Sequence, residues 1–205
     1  MTDLSANPAV DPLYQEALAT FGALLEDARA AADPEPTAMT LATAVDTRVS
    51  ARVVLLKGFD ARGFRFFTNF ESDKGTQLAA QPSVALCFHW KTLRSGVQVR
   101  VEGRASRLPE AESDAYFATR PRGSQLGAWA SDQSRTLDAR ATFERRLAEV
   151  ERRFDGAEVT RPSHWGGHVV APVRIEFWYG ADFRLHERQC YELADGRWTR
   201  RMLYP

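Results

Sequence analysis

The densest chemistry in this chain lies between Tyr116 and Ser134. Tyr116-Phe117-Ala118-Thr119-Arg120-Pro121-Arg122-Gly123-Ser124-Gln125, running on to Gln133-Ser134, supplies a phenol, guanidiniums, hydroxyls and amides. The stretch has neither a helical nor a strand hydrophobic period, and taken alone it reads as a solvated loop after a helix. Its residue types suit a dianion: Arg offers a planar fork to phosphate oxygens, and Ser and Tyr add neutral donors. Tyr116 and Arg120 stand four apart, which puts them on one face near a helix C-terminus. Two other segments carry related chemistry, Arg52-Val53-Val54-Leu55-Leu56-Lys57 upstream and Arg184-Leu185-His186-Glu187-Arg188 near the C-terminus. Arg52 and Lys57 face opposite ways in a regular strand, so either a bulge intervenes or they serve different ligands. Arg184 and His186 point to one side if 184–188 is a strand.

In order and spacing these segments resemble the pyridoxamine 5'-phosphate oxidase family, FMN enzymes that make pyridoxal 5'-phosphate. The resemblance runs from about Thr37 to Pro205, and the run from Arg120 to Ser131 is its most specific part. It implies that Arg52 and Lys74 hold the FMN phosphate, with Phe67 and Thr68 beside them. Val53, Val54, Leu55, Leu56 and Lys57 line the cofactor, and Gln98, Gln133, Ser134, Trp178 and Arg188 fall at the other flavin positions. It implies that Lys57, Tyr116, Arg120 and Ser124 hold the phosphate of pyridoxine or pyridoxamine 5'-phosphate. Arg184, Leu185 and His186 then lie over the pyridine ring, with Arg184 and His186 as the catalytic pair. The implied reaction is hydride transfer from the substrate C4' to flavin N5, with O2 reoxidising the flavin to give H2O2. A homodimer with flavin in the clefts between subunits is also implied.

The chain departs from the family at several positions. Asp73 stands where members often have Arg, Val97 where many have Arg, and Glu187 where many have Asp. No match to the family's substrate-closing segment precedes Pro12.

Two other functions fit some of these residues. A related flavin oxidase acting on a non-phosphorylated, phenazine-type ring is compatible with Arg184 to Arg188 but leaves the Tyr116-to-Ser124 phosphate set with nothing to bind. A non-catalytic flavin or pyridoxal-phosphate binding protein needs neither Arg184 nor His186.

Composition limits the classes. The 205 residues are 44% apolar, ample for one packed domain and thin for two. Lys plus Arg and Asp plus Glu are 27 each, so the molecule has no overall field to draw nucleic acid or anionic lipid, and any anion site is a local cluster. Cys87 and Cys190 lack the close spacing of a zinc site or redox pair and read as reduced core thiols of a cytoplasmic protein. His89, His164 and His168 show no metal-ligand spacing. No signal peptide or membrane span is visible.

The elements that must position the chemistry follow from the patterning. Residues 1–10 read as disordered. Asp11 caps a helix with Pro12 in its first turn, and Leu13, Leu18, Phe21, Leu24 and Leu25 form its docking stripe. This gives an extension over residues 1–36 that ends in a hinge at Asp33-Pro34-Glu35-Pro36, followed by one domain over 37–205. Strands are expected at 38–45, 49–57, 64–69, 83–90, 96–107, 168–178, 184–193 and 197–203. Helices are expected after Ser72, after Pro109 and from Asp138 to Phe154. Short strands in meander order with helices between them argue for a mainly β, antiparallel barrel. The resemblance sharpens that to an FMN-binding split barrel.

Overall fold

A computed structural model describes residues 11–205; the expectation for residues 1–10 lies outside these. The element order is α1 (Pro12–Ala30), β1 (Ala38–Val45), β2 (Arg48–Leu55), β3 (Gly58–Asp60), β4 (Gly63–Asn69), α2 (Asp73–Ala80), β5 (Ser83–Trp90) and β6 (Val97–Arg107). It continues with α3 (Glu110–Ala118), α4 (Arg122–Ala130), α5 (Arg140–Arg153), β7 (Trp165–Tyr179), a 3-10 turn at Asp182–Arg184, β8 (Glu187–Ala194) and β9 (Arg197–Leu203).

All strand pairs are antiparallel, in the order β2-β1-β5-β6-β7-β4-β3, with β8 and β9 continuing from β7. The long β7 organises the architecture. One of its edges pairs with β6 between His168 and Tyr179, while the other is shared, 165–170 with β4 and 174–179 with β8. One strand thereby serves two diverging parts of the sheet, which is how the barrel is split. The register shifts at Glu102/Gly103, where a Cβ on Gly103 would sit 2.3 Å from the Ala171 carbonyl oxygen. The β8–β9 hairpin turns on Asp195 and Gly196, both at positive φ, the requirement of a tight primed turn.

The alternation read from the sequence is realised. Val97, Val99 and Val101 are fully buried, while Gln98, Arg100 and Glu102 face the other side of the sheet. Inside the barrel, Phe21 of α1 meets the rings of Phe59, Phe64 and Phe88 at 4.9 Å. Asp11 caps α1 by accepting from the Leu13 N–H, and its other oxygen accepts from the Trp198 N–H of β9. Residues 33–36 are tied to the body as well, since the Trp90 indole donates to the Pro36 carbonyl and Thr92 to Asp33. A second apolar cluster of Phe117, Leu126, Phe154, Val159 and Trp165 lies under α3, α4 and α5.

Three local expectations are corrected. The stretch 122–130 is helix α4, starting after Pro121, a residue favoured at helix starts. Gly123 and Gly127 lower its intrinsic propensity; Leu126 and Ala130 are buried, and Arg122 is bonded to the Phe154 and Ala157 carbonyls. The second strand stops at Leu55, and a short strand β3 follows. Residues 184–186 are not strand: Phe183 and Arg184 take φ of 56° and 62°, and β8 begins at Glu187.

Candidate functional site

A cavity of about 540 Å3 opens between the end of β2, the end of β4, and the α3–α4 corner. One wall is a pile of aromatic rings. Tyr116 stacks on Phe67 with centroids 3.9 Å apart, and Phe67 stacks on Trp165 at 5.4 Å. The sequence allows this because Gly167 follows Trp165 closely: a Cβ there would meet Phe67 at 2.8 Å and Leu108 at 2.5 Å. Only glycine leaves the Phe67 ring room to lie flat beside the strand.

The opposite chemistry is cationic. Lys57, Lys74 and Arg120 line the cavity, and no Asp or Glu does. The corner that presents Arg120 is built by helix ends. Tyr116 is in the last turn of α3, the Arg120 N–H bonds the Phe117 carbonyl, and Ser124 is in the first turn of α4. Residues 116, 120 and 124 thus keep a four-residue spacing across two helices and all line the cavity. The Arg120 guanidinium carbon stands 4.5 Å over the Trp165 ring, and its Nη1 is buried without a hydrogen-bond partner. Burial pushes the Arg120 pKa down and that of Tyr116 up, the latter opposed by Arg120 itself. A partly desolvated guanidinium with a spare buried donor is a strong acceptor-binding group, because an unmade charged hydrogen bond is costly in a buried place.

At the α2 end, Ser72 caps the helix through the Gly75 N–H. Lys74 reaches across to Gln133 Oε1 at 3.1 Å. Its pKa is lowered first by burial and then by Arg52, with exposed Asp73 acting in the opposite sense. Arg52 does not line the cavity. Its Nη1 donates to Thr43 Oγ1 at 2.7 Å and its Nη2 to Gln77 Oε1 at 2.8 Å. Val53, Val54, Leu55, Phe67 and Thr68 are wall residues, whereas the Leu56 side chain belongs to the core. Lys57 reaches the wall because the chain turns after Leu55 and the Lys57 N–H bonds the Arg65 carbonyl. This break resolves the odd offset between Arg52 and Lys57. Ser134, at φ 74°, borders a neighbouring hollow with Gln133 and Arg146.

The remaining expected site residues form a second group that the cavity does not include. Gln98, Trp178 and Arg188 are in register across β6, β7 and β8, on the outward face of the sheet. The His186 ring lies 4.5 Å from that of Trp178, and its Nδ1 faces the Ala181 N–H at 3.1 Å. That donor makes Nδ1 the acceptor and leaves Nε2 to carry the proton of the neutral ring. Arg184 and Leu185 are exposed on the adjoining turn, with Phe183 beside them 92% exposed. Trp165 and Trp178 stand at opposite ends of β7, and thirteen residues of straight strand cover roughly 40 Å.

Four wall residues lie outside the expected set: Asn69, Thr119, Pro121 and Trp165. Trp165 carried a usable signal, a large ring directly before a Gly-Gly pair.

Residues 25–154 match the family described as pyridoxamine 5'-phosphate oxidase, and residues 165–205 match the pyridoxine 5'-phosphate oxidase C-terminal dimerisation region. The chain belongs to the pyridoxamine 5'-phosphate oxidase family. It is 58% identical over 196 residues to a pyridoxine/pyridoxamine 5'-phosphate oxidase of Xanthomonas euvesicatoria, covering 94% of this chain and 98% of that one. It is 56% identical to the protein of that name from Rubrobacter xylanophilus, covering 95% and 87%. Among solved structures, PhzG from Burkholderia lata, in complex with tetrahydrophenazine-1-carboxylic acid, superposes with a TM-score of 0.84 at 31% identity, covering 97% and 95%. A pyridoxamine 5'-phosphate oxidase-related, FMN-binding protein from Nostoc punctiforme shares the fold at a TM-score of 0.71 and 17% identity, covering 91% and 96%. The family's cofactor, FMN, fits the donor set here: the Lys74 ammonium with the Gln133 amide beside it, and a flat aromatic wall. No helix among the described residues is long and apolar enough to cross a membrane.

Proposed function

We propose that this protein is an FMN-dependent oxidase that converts pyridoxine 5'-phosphate or pyridoxamine 5'-phosphate to pyridoxal 5'-phosphate, with O2 as electron acceptor and H2O2 as product; from the amine, water is taken up and ammonia leaves. The observation that carries the reading is Arg120: a guanidinium on an aromatic face, with a buried unpaired nitrogen, in a cavity lined by cations and no carboxylate. Such a pocket selects a compact dianion. Arg120 and Lys57 supply the charge, and Ser124 and Tyr116 add hydroxyl donors. This favours a phosphorylated ring over a phenazine-type ring such as the one bound in the structural neighbour.

FMN, when bound, supplies the redox chemistry, accepting hydride from the substrate and passing electrons to O2. The chain's own residues position and polarise. Lys74 and Arg52 hold the cofactor phosphate, with Gln133 tying Lys74 in place. Val53, Val54, Leu55, Phe67 and Thr68 form the wall beside it. Gln98, Ser134, Trp178 and Arg188 contact the flavin, and Arg184, Leu185 and His186 cover the substrate ring, with His186 offering Nε2–H as a donor. Since Trp165 and Trp178 are at opposite ends of one strand, no single copy brings both groups to one ligand. A homodimer joins the cavity of one copy to the Gln98–Trp178–Arg188 face of the other. Exposed apolar residues on edge strand β2, Val49 and Val53 at 75% and 66%, fit a surface covered by a second copy. The enzyme works in the cytoplasm.

The test is direct. Purified protein should be yellow, release FMN on denaturation, and form pyridoxal 5'-phosphate and H2O2 in equal amounts from pyridoxamine 5'-phosphate. Colourless protein that also fails to bind added FMN refutes the reading.

A further inference from the structure

Glu176 is the one carboxylate buried among the described residues, and its surroundings are unusual for an outward sheet position. It sits on β7 between Arg100 of β6 and Cys190 of β8. Its Oε1 accepts from Arg188 Nε at 2.9 Å and forms an ion pair with Arg188 Nη2 at 2.7 Å. Its Oε2 takes longer contacts, Arg174 Nη2 at 3.3 Å and Arg100 Nη1 at 3.5 Å. Arg100 has a better partner of its own in Glu102, at 2.8 Å. The closest bonds of the buried carboxylate therefore go to Arg188, whose remaining nitrogen, Nη1, donates to the Tyr204 carbonyl at 3.0 Å.

Stability alone does not explain this arrangement. A buried ion pair stabilises little, and well-packed apolar residues often do as well or better. What one oxygen held between two nitrogens of a guanidinium edge provides is orientation, since the Nε bond and the Nη2 ion pair together restrain the fork. With the Tyr204 carbonyl on the third nitrogen, the fork has one available setting, beside Trp178 and in the row of Gln98. Three guanidiniums meet two carboxylates in this cluster, which leaves a positive charge on the face.

We propose that Glu176 is a positioning residue for Arg188: it sets the plane and place of the guanidinium that the flavin meets. The inference rests on the reading of Arg188 as a flavin contact and goes beyond it in assigning the geometry to Glu176. A cation held in place near the ring stabilises the reduced flavin, which gains negative charge, more than a mobile one does.

The experiment uses the full-length holoenzyme and Glu176→Gln, which keeps size and loses charge. Apparent FMN affinity, from quenching of flavin fluorescence, should weaken about tenfold, the order of one charge-assisted hydrogen bond. The flavin reduction potential should fall. Combined with Arg188→Ala, the Gln variant should add nothing further, because its effect runs through Arg188. Additive effects, or wild-type affinity and potential in Glu176→Gln while Arg188→Ala is impaired, overturn the role of Glu176 and leave the flavin reading of Arg188 standing. No change of affinity or potential in Arg188→Ala overturns both. If the Gln variant does not fold, Glu176→Asp decides: it keeps the charge but withdraws the oxygens, and normal FMN affinity and potential in it refute the proposal.

Discussion

The Arg120 guanidinium lies 4.5 Å above the Trp165 ring, with one nitrogen buried and unpaired. A half-buried cation held against a flat ring, with one nitrogen shut off from water, has lost part of its solvation before any anion arrives. Binding a phosphate there restores what folding took away.

Arg120→Ala should therefore raise KM about tenfold to a hundredfold, matching roughly 1.5–3 kcal/mol for a hydrogen bond to a charged group. FMN content should be unchanged, because the phosphate held is not the reacting part of the substrate. Lysine should rescue poorly, since it lacks the planar fork that stacks on Trp165. Steady-state assays of the two variants, with flavin content measured alongside, check this.

Arg184→Ala should instead lower kcat as well, because in the proposed site Arg184, exposed on the turn at residues 182–184, covers the substrate ring. In the proposed shared site the two variants belong to different half-sites, so co-expressing them is informative. Heterodimers contain one intact site, made from Arg120 of one copy and Arg184 of the other. Random pairing should restore about a quarter of wild-type activity. No restoration in a verified heterodimer contradicts a site shared between copies.

The sheet was legible in the sequence, and the corners that aim the site were less so. Val97, Val99 and Val101 alternate with polar residues, and a period of two leaves one face to bury. Helix α1 announces itself through Asp11 and Pro12. Helix α4 does not, because its glycines suppress propensity and its stability comes from Leu126, Ala130 and the bonds of Arg122 to the end of α5. The turn at Phe183 and Arg184 was hidden for a related reason: positive φ is usually signalled by glycine, and none stands there. Of the cavity residues, Lys57, Lys74 and Arg120 were readable by type, as were the hydroxyls of Thr68, Tyr116 and Ser124. Trp165 owes its place to register with Asn69 and to the neighbouring glycines, a relation that exists only after β4 and β7 pair.

Asp73→Arg should tighten FMN binding by about two- to fivefold, the range of an exposed ion pair, with the gain shrinking as salt is raised. The same change puts a cation at the start of α2 and should cost roughly 0.3–1 kcal/mol of stability. Fluorescence titration at low and high salt, with thermal unfolding of the apoprotein, measures both.

His168 gives a pH dependence of stability. Its ring is buried between Phe66 and Phe70, and burial, aided by Arg107, pushes its pKa down to about 4. Below the unfolded value of about 6.5 the unfolded chain binds a proton that the folded ring refuses, so stability falls as pH drops from there toward 4. The loss by pH 4.5 is about 2–3 kcal/mol. His168→Phe, which keeps the stacking ring, should lose that much less stability than wild type between pH 7 and 4.5. Denaturant unfolding at both pH values, at one protein concentration, decides it; equal losses contradict the buried neutral histidine.

The most direct test of the account is an anaerobic mixing experiment on the holoenzyme. Pyridoxamine 5'-phosphate should bleach the flavin absorbance, which returns when O2 is admitted, with pyridoxal 5'-phosphate as the organic product. Unphosphorylated pyridoxamine at the same subsaturating concentration should bleach at least about tenfold more slowly, because Arg120, Lys57, Tyr116 and Ser124 then have no dianion to hold. Equal bleaching by both compounds, or none with the phosphate ester, would contradict it.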